Sequence, residues 1–106
     1  MPTSDFLIAA KVIEAFRNLH GQIPFDLRFV EDIAEQSSCK VFGECDFNQN
    51  PPSISIKSAL NETDLVEILC HELAHLLCGL HAGHNDLWEQ QRDELSAYFW
   101  SQRIGL

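Results

Sequence analysis

The chain has 106 residues, 45% of them hydrophobic, which suffices for one core and predicts a single domain over residues 1–106. Sixteen acidic and seven basic residues give a formal net charge of −9, which disfavours nucleic acid and anionic membrane surfaces as partners. No apolar run approaches the ~18 residues that span a bilayer, and the N-terminus lacks the positive charge of a signal peptide, so we expect a soluble, cytoplasmic protein.

The first half of the chain predicts one helix and three strands. The segment "SDFLIAAKVIEAFRNLHG" has apolar residues at helical spacing and ends at Gly21. The segments "FDLRFVED" and "CKVFGECDF" alternate in polarity and predict two strands with a turn between them. After Pro51 and Pro52, "SISIKS" predicts a short strand over residues 53–58. We expect this strand at the edge of the sheet, because proline is found at edges.

The second half predicts two helices. The segment "NETDLVEILCHELAHLLCG" has Asn61 or Thr63 as its N-cap and Gly79 as its stop. This helix is apolar almost all round and should be buried, which places three polar side chains inside the protein: His71, Glu72 and His75. A last helix should open at Asp86, which has capping-box spacing to Glu89. The elements together predict an α+β fold with a three-stranded, mainly antiparallel sheet.

The pattern "HELAH", residues 71–75, carries the chemistry. On a helix, His71 and His75 lie one turn apart on one face and can hold a single metal ion, with Glu72 beside them. Zinc held by neutral ligands lowers the pKa of a bound water, and the glutamate then takes its proton as general base. Burying three ionisable side chains without a metal would cost several kcal/mol. The pattern therefore predicts one zinc ion per chain and a hydrolase.

A catalytic zinc usually takes a third protein ligand, and four residues are candidates: Cys78, His81, His84 and Glu94. Cys78 lies about 10 Å along the helix from His71, which favours a packed thiol over a ligand. His81 has the ligand spacing of the metzincin proteases, but their downstream methionine is impossible here because Met1 is the only methionine. Glu94 would be the gluzincin arrangement, although its acidic neighbours favour a solvated helix face.

The loop that follows the motif helix favours His84 over His81. Gly79 ends the helix, and Gly83 gives the loop freedom to fold back. His84 then stands at the entrance of the last helix, where its orientation would be fixed, and Trp88 should pack under its imidazole and seal the site. His81 would lie near the cleft without binding the metal.

Residues 25 to 100 resemble the small SprT-like zincins. The resemblance rests on "HELAH", on "GHNDLW" with a histidine four residues before a bulky aromatic, and on "GECDFNQNPPSISIKSAL" before the motif helix. It implies a zincin-like minidomain with zinc on His71, His75 and His84 and with Glu72 as general base. The acidic chain lacks the basic DNA-binding parts and the cysteine-rich zinc ribbon of members of that group. The segment "RDELSAYFW" also resembles the IrrE-like metallopeptidases, whose third ligand is a helical glutamate.

These observations predict a zinc metallopeptidase that binds a protein or peptide substrate in extended form along the strand at residues 53–58. Three alternatives stay open. The histidines His71, His75 and His81 also have the spacing of ribosome-maturation endoribonucleases, which carry glycine where Glu72 stands, and a charge of −9 suits RNA poorly. The others are a non-catalytic domain that keeps a metal for stability and an interaction domain with metal-free histidines.

Overall fold

A computed structural model of the protein describes residues 4–31, 42–79 and 85–104. Three helices and three strands follow in the order α1 (Ser4–His20), β1 (Asp26–Val30), β2 (Gly43–Asp46), β3 (Ser53–Lys57), α2 (Glu62–Cys78) and α3 (Asp86–Ile104). The predicted α+β class is confirmed. Among the described residues, no helix has the length and apolar character that crossing a bilayer requires.

Local chemistry sets the ends of α2. The side chain of Asn61 accepts a hydrogen bond from the backbone N–H of Asp64 at 2.8 Å, so Asn61 and not Thr63 is the N-cap. Gly79 ends the helix with φ of 91°, a left-handed conformation that glycine adopts without steric cost. The predicted extent of the motif helix is thereby confirmed.

The beginning of α3 differs by one residue from the expected capping box. The side chain of Asn85 accepts a hydrogen bond from the backbone N–H of Trp88 at 2.9 Å, and its carbonyl accepts from Glu89. Asn85 is therefore the N-cap, and Asp86 is the first helical residue, where its negative charge still favours the helix N-terminus.

The sheet is mixed and has the order β1-β3-β2. β3 pairs in parallel with β1, with Ile54 opposite Leu27, and antiparallel with β2, with Ile54 opposite Cys45. Two expectations are therefore wrong: the sheet is not mainly antiparallel, and the strand at residues 53–57 is central, not at an edge. Both of its edges are occupied by hydrogen-bonded neighbours, so it cannot accept a substrate strand.

The two prolines are compatible with a central strand because they stand before it and not within it. Pro51 and Pro52 precede Ser53, the first residue of β3, so neither occupies a position that must donate to a neighbouring strand. Pro52 instead contributes its carbonyl, which accepts a hydrogen bond from Asp26 at 2.9 Å and joins β3 to β1. Their presence therefore gave no information about the position of the strand in the sheet.

α2 is the centre of the molecule. It contacts β2 and β3 of the sheet, and both α1 and α3 pack against it. The core lies between these elements and consists mostly of fully buried aliphatic and aromatic side chains, among them Val12, Phe16, Ile54, Ile56, Leu65, Leu69, Leu73, Leu95 and Phe99. This packing explains why nearly every side of α2 is apolar.

Candidate metal centre

The HExxH residues lie in a cleft between α2 and strand β2. The cleft has a volume of about 310 Å³ and is lined by Gly43, Cys45, Phe47, His71, Glu72, His75 and Gly79. Glu72 is buried as expected, whereas His71 and His75 are half-buried and open to the cleft. The predicted trio therefore lies between the protein interior and the cleft: the carboxylate is buried, and the imidazoles are accessible from the cleft.

The two imidazoles converge on one point. Their Nε2 atoms lie 3.2 Å apart, and one of them can donate a proton to the other when no cation is present. Two zinc–nitrogen bonds of about 2.0–2.1 Å at a tetrahedral angle would place the nitrogens about 3.3 Å apart. With the Glu72 carboxylate, the ligand atoms all lie within 4.8 Å of one another. The spacing and the nitrogen and oxygen donors fit a divalent metal ion.

Glu72 combines burial with proximity to these imidazoles. Its residue exposure is 6%, and burial, with a smaller contribution from Glu44, raises its pKa from 4.5 to about 7. Its Oε2 lies 4.0 Å from His71 Nε2, which exceeds a direct hydrogen bond and leaves the carboxylate available to a water in the cleft. A base with a pKa near neutrality is suited to accept and return a proton.

Gly43 explains how Glu72 reaches this position. A Cβ at Gly43 would lie 2.7 Å from Cγ2 of Ile68 and 3.0 Å from Oε2 of Glu72. Only glycine therefore lets β2 approach α2 this closely. A glycine within a strand pattern can mark a turn, a bulge or the close approach of another group, and the structure shows that close approach is the reason here.

Trp88 forms a wall of the site. Its ring is stacked against His75, with centroids 5.3 Å apart, and meets His71 edge-on at 4.7 Å. The sequence predicted that Trp88 would seal the site beneath His84, but the described imidazoles it packs against belong to the two histidines of α2. The sequence singled out Trp88 because it is a bulky aromatic residue. The residues that it contacts depend on how α3 packs against α2, which the sequence pattern does not specify.

Two of the candidate third ligands are not grouped with the imidazole pair. Cys78 is half-buried at the end of α2, and Glu94 is exposed on α3. Neither belongs to the metal-binding group that the described residues form. His81 and His84 lie outside the described residues, so the prediction of His84 stays a prediction.

Cys45 is a cleft residue that no sequence motif singled out. It projects from β2 on the same face as Gly43, because residues two apart on a strand share a face. Burial, and to a lesser extent the charge of Glu72, raises the pKa of its thiol to about 12. In the metal-free protein the thiol is therefore neutral at pH 7.

This α+β fold has a counterpart among solved structures. It is similar to the crystal structure of the metallopeptidase zymogen of Pyrococcus abyssi abylysin, with a TM-score of 0.62 and 20% sequence identity. The similarity covers 92% of this chain and 90% of that chain. No protein-family model and no curated protein sequence matches the chain. At 20% identity this similarity establishes the fold alone. An inference about activity has to rest on the residues of the cleft.

Proposed function

We propose that the protein is a zinc-dependent metallopeptidase, with His71 and His75 as metal ligands and Glu72 as general base. The observation that carries the proposal is the 3.2 Å spacing of the two Nε2 atoms beside a buried carboxylate in an open cleft. Zinc bound there would supply a Lewis acid that polarises a carbonyl and acidifies water. Similarity of fold to a metallopeptidase zymogen supports the same class of reaction.

Glu72 provides the proton transfers in this proposal. Its carboxylate accepts a proton from the attacking water at Oε2 and returns it to the amine that leaves. Burial beneath β2 keeps the side chain in one position beside the imidazoles, where it can take up and release the proton of a water in the cleft.

The segment between Gly79 and Asn85 is the expected source of the third ligand. Gly79 lines the cleft and Trp88 contacts both imidazoles, so described residues on both sides of this segment lie at the site. His81 and His84 stand in this segment. We propose His84, because it precedes the Asn85 cap that fixes the start of α3.

The substrate in this proposal is an extended peptide that lies along β2. In the described part of the chain, β2 pairs with β3 on one side and with no strand on the other. Its residues Gly43 and Cys45 line the cleft beside Glu72. A peptide added to this edge would gain main-chain hydrogen bonds and would place a peptide bond beside the metal ligands and Glu72 with little dependence on side-chain identity.

Cleavage of an unfolded protein tests the function. The purified chain is stripped with a chelator, reloaded with Zn²⁺ and incubated with casein, and the products are identified by mass spectrometry. Cleavage should require the metal, and Glu72→Gln should lower the rate by at least about 100-fold while the metal stays bound. Glu67→Gln is the matched control, because Glu67 lies on the same helix but bonds to Ser96 and Trp100. Metal binding without cleavage would instead indicate a non-catalytic domain.

A further inference from the structure

Trp88 is held in place from several sides. It is 5% exposed, and its indole N–H donates to the carbonyl of His71 at 3.2 Å. Its own backbone N–H donates to the Asn85 cap, and the guanidinium of Arg92 lies 4.9 Å from its ring centroid. A side chain with this many fixed contacts presents its ring in one orientation.

That orientation constrains both histidines. The indole contacts the ring of His75 face to face and the ring of His71 edge-on, and it is also tied to the backbone of His71. Rotation of either imidazole toward the indole is blocked by these contacts. The indole therefore limits the range of orientations of both rings and supports the one in which the two Nε2 atoms converge.

We propose that Trp88 is a positioning residue that preorganises His71 and His75 for the metal. This inference rests on the proposed metal site. Fixing the rings before binding removes the entropic cost of ordering them when the ion arrives. Residues that orient metal ligands typically contribute about 10–100-fold to metal affinity. Trp88 thus acts through the histidines.

Trp100 provides a matched control within the same helix pair. The chain has two tryptophans, and both donate an indole N–H from α3 to α2 at 3.2 Å. Trp100 donates to Glu67 Oε1, and its ring packs against Phe99. Substitutions of Trp100 therefore remove a comparable helix contact without touching the imidazoles.

The experiment measures zinc affinity of the full chain by competition with a chromophoric chelator. Trp88→Phe should bind zinc about 10-fold more weakly and Trp88→Leu up to about 100-fold more weakly, whereas Trp100→Phe and Trp100→Leu should bind as the wild type does. Phenylalanine fills most of the space of the indole, so Trp88→Phe tests the inference even where the leucine variant fails to fold. Thermal unfolding of each metal-free variant records the purely structural effect.

Fluorescence reports where the ion binds relative to the two tryptophans. In Trp100→Phe the remaining tryptophan is Trp88, and its emission should change when zinc is added. In Trp88→Phe the remaining Trp100 should show no change. Wild-type affinity in both Trp88 variants, or an equal loss in the Trp100 variants, would overturn the positioning role. Failure of the wild type to bind zinc would instead refute the proposed metal site.

Discussion

Gly43→Ala should disturb Glu72 while leaving the metal ligands in place. The added methyl group would lie 2.7 Å from Cγ2 of Ile68 and 3.0 Å from Oε2 of Glu72, both closer than ordinary van der Waals contact. Ile68 packs against the hydrophobic core, and Glu72 is buried, so neither side chain can simply swing into solvent. Strand β2 or the carboxylate must move by a few tenths of an ångström.

Two opposing effects set the size of the stability change. Overpacking of this kind costs about 1–3 kcal/mol, while alanine reduces the entropy of the unfolded chain and returns about 0.4–1 kcal/mol. The net loss should be about 1–2 kcal/mol, which corresponds to a melting temperature roughly 5–10 °C lower for a domain of this size. A misplacement of 1 Å at a reacting group can cost about 100-fold in rate, so a smaller shift of Glu72 should lower kcat by about 10-fold.

Denaturant unfolding and peptide cleavage measure these two effects, and Gly21→Ala is the control. Gly21 has φ of 80°, and a methyl group added there would have no heavy atom within 4 Å, so alanine is strained by about 1 kcal/mol without touching the site. Both variants should lose stability, but only Gly43→Ala should lose kcat, and both should bind zinc normally. Full activity and stability in Gly43→Ala would refute the close approach of β2 to Glu72.

The proposed metal site sets three further expectations. Burial raises the Glu72 pKa from 4.5 to about 7, so the metal-free folded state holds this proton more tightly than the unfolded state does. The stability of the metal-free protein should therefore fall by at most about 3 kcal/mol as pH rises from about 4.5 to 7. In Glu72→Gln, urea unfolding in the presence of chelator should not show this pH dependence. His84→Ala should weaken zinc binding by more than about 100-fold and His81→Ala should not; the reverse result in chelator competition assigns the ligand to His81. Zinc at about 1,000 times its dissociation constant should stabilise the wild type by about 4 kcal/mol in calorimetry, and an unchanged transition would contradict binding to the folded state.

The helices of this protein are well encoded locally. A 3.6-residue apolar period, an asparagine cap and a terminal glycine predict α2 to within a residue, because each signal acts within a few positions of the helix end. The histidines follow from the same periodicity, since residues four apart share a helix face. The motif therefore indicated which side chains would come together before any tertiary contact was known.

Strand order and the surroundings of the site were not encoded in this way. Alternation at Ile54 and Ile56 predicts which face is buried, but it does not specify which strands lie on either side. The central position of β3 depends on a parallel pairing with β1, across a connection that includes β2. The contacts of Trp88 with His71 likewise depend on the packing of α3 against α2, which no local pattern fixes.

The central claim is that His71 and His75 hold a metal ion whose coordination stays open to water. X-ray absorption of the zinc-loaded protein, with metal content measured in parallel, tests it most directly. We predict about one zinc per chain, three protein ligands and a water, and loss of the metal in the His71→Ala, His75→Ala double variant. Stoichiometric zinc in that variant, or four protein ligands around the zinc of the wild type, would contradict the claim.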